Sequence, residues 1–292
     1  MEGDRTVLIT GAGGQLGSSL LRLAPEHWTV LAVDRRDLDM TDLAGLAGFV
    51  ERHRPQLVIN CAAYTDVDAA ESDEEACWLV NAQAPGVLAR STADLGGRII
   101  QISTDYVFDG SNNEAYRENA PVSGLGVYGR SKAAGERAVM AEAPNAATIL
   151  RTAWLYAPGR RNFVTTVLRM AGSGHPLRIV DDQVGQPTYA HDVAERIVSM
   201  VAAGVAPGIY HATNSGRTTW HGFATEILRL WGYDNAVEPI ATSEFPRVAP
   251  RPAHSVLGHA GWRATGLPEL RDWREALRAA RRDHGDSFGP TE

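Results

Sequence analysis

A phenol and an ammonium stand four positions apart in the stretch VYGRSKAAGER, and the ammonium, Lys132, is the only lysine among the 28 Lys+Arg residues of the chain. On a helix that spacing projects Tyr128 and Lys132 from one face, so both can reach the same ligand. A free phenol titrates near ~10, and a neighbouring ammonium favours the phenolate by roughly 1–3 units. Such a tyrosine can deliver a proton to a carbonyl oxygen as hydride reaches its carbon, a step worth on the order of 10²–10⁴ in rate. Arginine fits this task badly, because its planar fork is bulkier and differently aimed, whereas a slim ammonium can bind ribose hydroxyls and still lie near the phenol. Taken alone the YxxxK pattern is frequent by accident, and a surface tyrosine beside a solvated lysine is its plain alternative.

Upstream, ISTDYVFDG closes a predicted strand. Thr104 offers a hydroxyl to a reacting oxygen and Asp105 can bind substrate hydroxyls. Ser103 competes with Thr104, since strand alternation points only one of them at a site, and an ST or Asx turn is the bland alternative. Near the start, TGAGGQLG places Gly11, Gly14 and Gly17 three apart between a strand and a helix. Glycines let a backbone approach a phosphate, and a helix N-terminus supplies free N–H groups, so a dinucleotide is the expected ligand. Asp34, at the end of the second predicted strand, can accept from an adenosine ribose, whereas Arg35 or Arg36 can pair with a 2′-phosphate. The two signals conflict; the reading is NADPH preferred with NADH tolerated. After the third strand, Ala63, Tyr64 and Thr65 let the chain pass beneath the cofactor.

These residues need a frame. Strands are predicted over 6–10, 28–34, 56–63, 98–103 and 147–156, alternating with helices that include one over 72–96 and one opened by the lysine stretch. Regular βα alternation predicts α/β architecture: a Rossmann-like, doubly wound parallel sheet with helices on both faces. Residues 1–153 form the dinucleotide domain, 188–215 return to it, and segments of 154–292 form a smaller substrate-binding lobe. A last helix is expected in PELRDWREALRAARRDHG, with the final few residues frayed. Hydrophobic content of 44%, charged content of 22% and a net charge of −7 describe an ordinary globular chain and speak against nucleic-acid or polybasic membrane binding. Cys61 and Cys77 make no zinc spacing and fit a reducing cytoplasm; no signal peptide or spanning helix is expected.

The glycine turn, STDYVFDG and YGRSK together resemble the extended short-chain dehydrogenase/reductase superfamily. NCAAYTDVDAAES, RTAWLYAPGRRNF, DDQVGQPT, TTWHGFA and RPAHS narrow the resemblance to the dTDP-4-dehydrorhamnose reductase family over nearly the whole chain. That resemblance implies a small-molecule dTDP-sugar substrate whose C4 ketone is reduced, with Thr104, Tyr128 and Lys132 catalytic and with Asp105 and Trp154 on the sugar. It places Gly14, Gln15, Leu16, Asp34, Asp39, Met40 and 63–65 around the cofactor and makes Arg251 a phosphate contact, ahead of Arg160 and Arg161. An indole face suits the apolar C–H face of a deoxyhexose. The family commonly reads RPxNS where this chain has His254. Some members dimerise through magnesium held by a glutamate where this chain has Gln15, so no required metal is expected, and a monomer or homodimer is. A related 4-ketoreductase of secondary metabolism, an NAD-retaining epimerase or dehydratase, and a non-catalytic regulatory subunit of the same fold remain as alternatives.

Overall fold

In a computed structural model that describes residues 4–288, the first strand, β1 (Arg5–Thr10), sends Val7 and Ile9 to one face and Leu8 to the other. This period-two alternation of apolar residues is what a strand covered on both faces requires. β2 (Trp28–Val33), β3 (Leu57–Asn60), β4 (Arg98–Thr104), β5 (Ala147–Thr152) and β6 (Gly208–His211) complete one parallel sheet in the order β2-β1-β3-β4-β5-β6. β2 lies on one side of β1 and β3 on the other, so the strand order reverses at β1 and β3. A crevice opens beyond the carboxyl ends of strands at such a reversal.

Helices cover both faces. α1 (Gln15–Leu23) packs Leu16 and Leu20 on one face, where Val193 and Ile197 of a later helix join them. On the other face lie α2 (Leu43–His53), α3 (Ala84–Asp94) and α4 (Val127–Glu142), through Leu46, Val50, Leu88 and Val139. α5 (Phe163–Ala171), α7 (Trp220–Trp231) and α8 (Trp273–His284) enclose a separate core of Val164, Phe223, Trp273 and Phe288, and α6 (Ala190–Ala202) is the helix packed on α1. No helix among the described residues is long and apolar enough to cross a membrane.

Three expectations change. The strand predicted over 147–156 stops at Thr152, because Trp154 takes a left-handed backbone, φ 44°, and a two-residue strand, Leu155–Tyr156, resumes in another direction. The helix predicted over 72–96 contains a π turn, Leu79–Gln83, between Glu74–Trp78 and α3. The last helix starts at Trp273, capped by the Asp272 side chain on Arg274 N–H, so 268–271 stay outside it. Residues 289–292, where fraying is expected, lie outside the described residues.

Where α4 crosses the π turn, a Cβ on Gly135 would overlap the carbonyl oxygen of Asn81. That oxygen is backbone and has little room to yield. Gly135→Ala is therefore expected to destabilise the protein by about 1–3 kcal/mol, read as a lower midpoint in thermal unfolding followed by circular dichroism.

Candidate active site

The carboxyl ends of the strands carry the chemistry. Gly11 follows β1 with φ 60°, and a Cβ there would come within 2.8 Å of Ala62 N; one on Gly17 would overlap the Gly11 carbonyl. Only glycines allow this turn, and it delivers α1 with Gly14 at its N-cap and no side-chain cap on the first N–H groups. Such a terminus suits a phosphate. Beyond β2, Asp34 accepts from Arg36 N–H through Oδ1, and Asp39 accepts from the amide and hydroxyl of Thr41.

One cavity of about 1140 Å³ links these ends. Gly11, Gly14, Gln15, Leu16 and Gly17 line its floor; Asp34, Arg35, Asp39 and Met40 line the flank beyond β2. Ala63, Tyr64 and Thr65 line it after β3, and Thr104, Tyr128, Lys132 and Trp154 line its far part, with Arg160 and Arg161. Its extent, from an uncapped helix terminus to a phenol and ammonium, fits a dinucleotide with a second ligand beside it.

Two sequence-predicted residues fall outside that lining. Asp105 is 1% exposed and holds the hydroxyls of Thr104, at 3.0 Å, and Ser255, while its Oδ2 has no partner; burial pushes its carboxyl up to about 6. Arg251 pairs with Asp68 at 3.0 Å and lies over the Tyr106 ring. Ser103 and Thr104 both line the cavity; the Ser103 hydroxyl donates to Glu136 and the Thr104 hydroxyl to Asp105.

Electrostatics overturn one expectation. Burial pushes the Tyr128 phenol up to about 12, with the Thr104 hydrogen bond pulling the other way. Burial also brings Lys132 down to about 8, and its Nζ donates to the Ile102 carbonyl at 2.7 Å. The ammonium thus anchors to the sheet, and the loss of water around the phenol outweighs any help toward ionisation.

Trp154 lines the cavity, and its indole stacks on Trp220 with ring centroids 3.5 Å apart and planes 9° apart, which covers one of its two faces. The Trp220 indole N–H donates to Gln183.

Residues 5–284 match the RmlD substrate binding domain family. The chain belongs to this family. It is 46% identical to the dTDP-4-dehydrorhamnose reductase of Streptomyces griseus, over 92% of this chain and 91% of that protein. It is 42% identical to the dTDP-4-keto-6-deoxy-D-glucose reductase of Streptomyces niveus, over 94% of this chain and 95% of the other. Among solved structures, a dTDP-4-dehydrorhamnose reductase from Bacillus anthracis in complex with NADP superposes with a TM-score of 0.92 at 35% identity, covering 96% of this chain and 99% of that one.

Within this RmlD-family site, sequence reasoning missed two supports. Asn81, in the π turn, accepts from Tyr64 N–H at 2.9 Å, donates to Tyr64 carbonyl at 3.0 Å and reaches Ser131 Oγ on α4 at 3.3 Å. A π turn inside a helix often marks a functional position. Glu71 accepts from Val127 N–H at 2.7 Å and so caps the helix that carries Tyr128 and Lys132.

A Cβ on Gly185 would overlap the Trp154 indole, which the Trp220 stack prevents from retreating. Gly185→Ala is expected to break that stack at a cost of about 1–3 kcal/mol. Changed tryptophan bands in near-UV circular dichroism, together with a lowered unfolding midpoint, would register it.

Proposed function

We propose that this chain reduces the C4 ketone of a dTDP-4-keto-6-deoxyhexose, dTDP-4-dehydro-6-deoxy-L-mannose, to give dTDP-L-rhamnose. The observation that carries the reading is the meeting of Thr104, Tyr128 and Lys132 on the wall of one cavity that begins at the uncapped N-terminus of α1. Two of the relatives bear 4-ketosugar reductase names, and a solved neighbour is a complex with NADP. The glycine turn and α1 would hold the diphosphate of NADPH, with Asp34 and Arg35 at its ribose; residues 1–153 and 188–215 then serve the cofactor and segments of 154–292 the sugar. NADPH, when bound, supplies hydride. The enzyme would work in the cytoplasm, where that reductant is made.

Within this chain, Tyr128 holds its proton at neutral pH, as a free phenol does, and burial, which pushes it up to about 12, extends that protonated range to higher pH. A donor has to be protonated, and the alkoxide formed from a ketone is a stronger base than a phenolate, so the transfer from Tyr128 runs downhill. Thr104 lines the cavity with Tyr128, and its hydroxyl, which donates to Asp105 without substrate, would turn its proton to the developing oxyanion when a ketone is bound. Lys132 places a positive charge one turn along α4 and steadies the phenolate left behind.

The purified chain, mixed with NADPH and dTDP-4-dehydrorhamnose, is expected to oxidise the coenzyme and to yield dTDP-L-rhamnose by NMR. Tyr128→Phe is expected to lower kcat by about 10²–10⁴ while NADPH binding, followed by fluorescence, stays near wild type. A product with the other C4 configuration would assign the chain instead to the wider 4-ketoreductase group in which the S. niveus relative is named; no NADPH oxidation at all would refute the reading.

Arg35 and Arg36 reach the cavity beside Asp34, whose Oδ1 is already engaged by the Arg36 amide. Removing the cations leaves Asp34 to favour an unphosphorylated ribose. Arg35→Ala with Arg36→Ala is expected to raise KM for NADPH at least about tenfold, the loss of one charge-assisted contact, with little change in KM for NADH in parallel initial-rate assays.

A further inference from the structure

One turn beyond Lys132, on the buried side of α4, two strands hold the carboxylate of Glu136. Arg151 of β5 donates from Nε to Oε1 at 2.8 Å and from Nη2 to Oε2 at 2.7 Å, and Ser103 of β4 donates to Oε1 at 2.5 Å. The paired side chains are 2% and 5% exposed. Nη1 of Arg151 meets the Glu118 carbonyl at 3.0 Å and His211 Nε2 of β6 at 3.3 Å. Ser103 adjoins Thr104, and Arg151 adjoins Thr152, which lines the cavity. A single carboxylate therefore joins α4 to the two strands that end beside the reacting groups, although neither Glu136 nor Arg151 reaches the cavity.

We propose that Glu136 is the positioning residue of this site: it sets α4 against β4 and β5 and supplies the standing negative charge that keeps Lys132 an ammonium. Burial acts on Lys132 toward the neutral amine, and Glu136 is the strongest influence the other way, ahead of Cys61 from the end of β3 and Cys77 from the segment packed on α4. Burial pushes the Cys61 thiol up to about 12 and raises Cys77 as well, so both are uncharged near neutrality. Tyr128, on the same helix, is likewise neutral, and β4 offers Lys132 only the Ile102 carbonyl. Arg151, bonded to the same carboxylate, offsets part of that charge, and Glu136 is the one carboxylate among the groups acting on the lysine. Well-packed apolar residues often replace a buried ion pair without loss of stability. They could not hold a charge beside the lysine.

The inference rests on the reading of Lys132 as the ammonium of the reducing pair, and the sole lysine makes it directly measurable. Protein grown with ¹³C-labelled lysine gives one side-chain signal, whose chemical shift against pH reports the Lys132 midpoint without substrate or turnover. Glu136→Gln is expected to lower that midpoint by about one unit or more. The alkaline limb of kcat should move to lower pH by the same amount, because the amine forms sooner as pH rises. Glu136→Asp, which keeps the charge, should leave the midpoint near wild type. Should Glu136→Gln fail to fold with Arg151 unpaired, the double variant Glu136→Gln/Arg151→Gln removes both charges and decides the matter by the same titration. An unchanged midpoint in a folded variant that lacks the carboxylate overturns the proposal. A shifted midpoint in Glu136→Gln alongside a wild-type chain that never oxidises NADPH overturns the reductase reading instead, so the two failures are told apart.

Discussion

The hydrogen bond from Lys132 Nζ to the Ile102 carbonyl, 2.7 Å, is the contact on which the site depends. An ammonium taken out of water needs acceptors, and β4 supplies one at the end of the sheet only if α4 lies close against it. Close approach in turn demands small residues on the helix: Gly129 faces the Tyr106 carbonyl and Gly135 the Asn81 carbonyl, each with no space for a Cβ. The π turn places Asn81 at that crossing, where its side chain ties the loop after β3 to Ser131 of α4. Helix, loop and strand end are thereby set relative to one another before any ligand arrives, and preorganisation of this kind lowers the cost of reaching a reactive geometry.

That closeness has an electrostatic consequence. The burial that brings the lysine to the sheet also strips water from the phenol, so the two groups move apart in acidity from their usual values in a direction opposite to mutual stabilisation of charge: the amine toward about 8 and the phenol toward about 12. Near neutrality the lysine is charged and the tyrosine is not. The free groups share these states; desolvation moves the phenol further from ionisation and brings the amine nearer to losing its charge. In the proposed reaction the charge would form on the tyrosine only when its proton leaves, with the cation already in place.

What was legible in the sequence was local or periodic. The βα alternation, the glycine turn and the four-residue spacing of Tyr128 and Lys132 each follow from rules that span fewer than about ten residues, and the structure places those side chains around one cavity. The partners of Ser103 and Thr104 were not legible, because Glu136, which accepts from Ser103, lies 33 residues away. Asn81 sits in an ordinary helical pattern, and nothing in its neighbours announces a π turn. Resemblance implies substrate contact for Asp105 and Arg251, and their partners within the chain, Thr104 for Asp105 and Asp68 for Arg251, come from tertiary packing that no local pattern reveals. The acidity of Tyr128 was misjudged for the same reason: spacing reveals a neighbour, whereas burial is a property of the whole fold.

Trp154 shows how the second lobe enters this arrangement. A left-handed backbone at a bulky residue costs on the order of 1–3 kcal/mol and persists only where its surroundings impose it. Here they do so from three directions: the Trp154 carbonyl accepts from Thr188 N–H at 3.1 Å, Trp220 of α7 covers one face of the indole, and Gly185 leaves room for it. All three partners come from segments after 180, whereas Thr152, two residues earlier, is the last residue of β5. The strained residue therefore stands where the chain leaves the sheet, and contacts made by segments after 180 hold its conformation. Because Trp154 lines the same cavity as Thr104 and Tyr128, the segments after 180 that hold it cannot shift without moving an aromatic ring on that cavity's wall. Strain stored at that junction links the placement of the lobe to the geometry of the site.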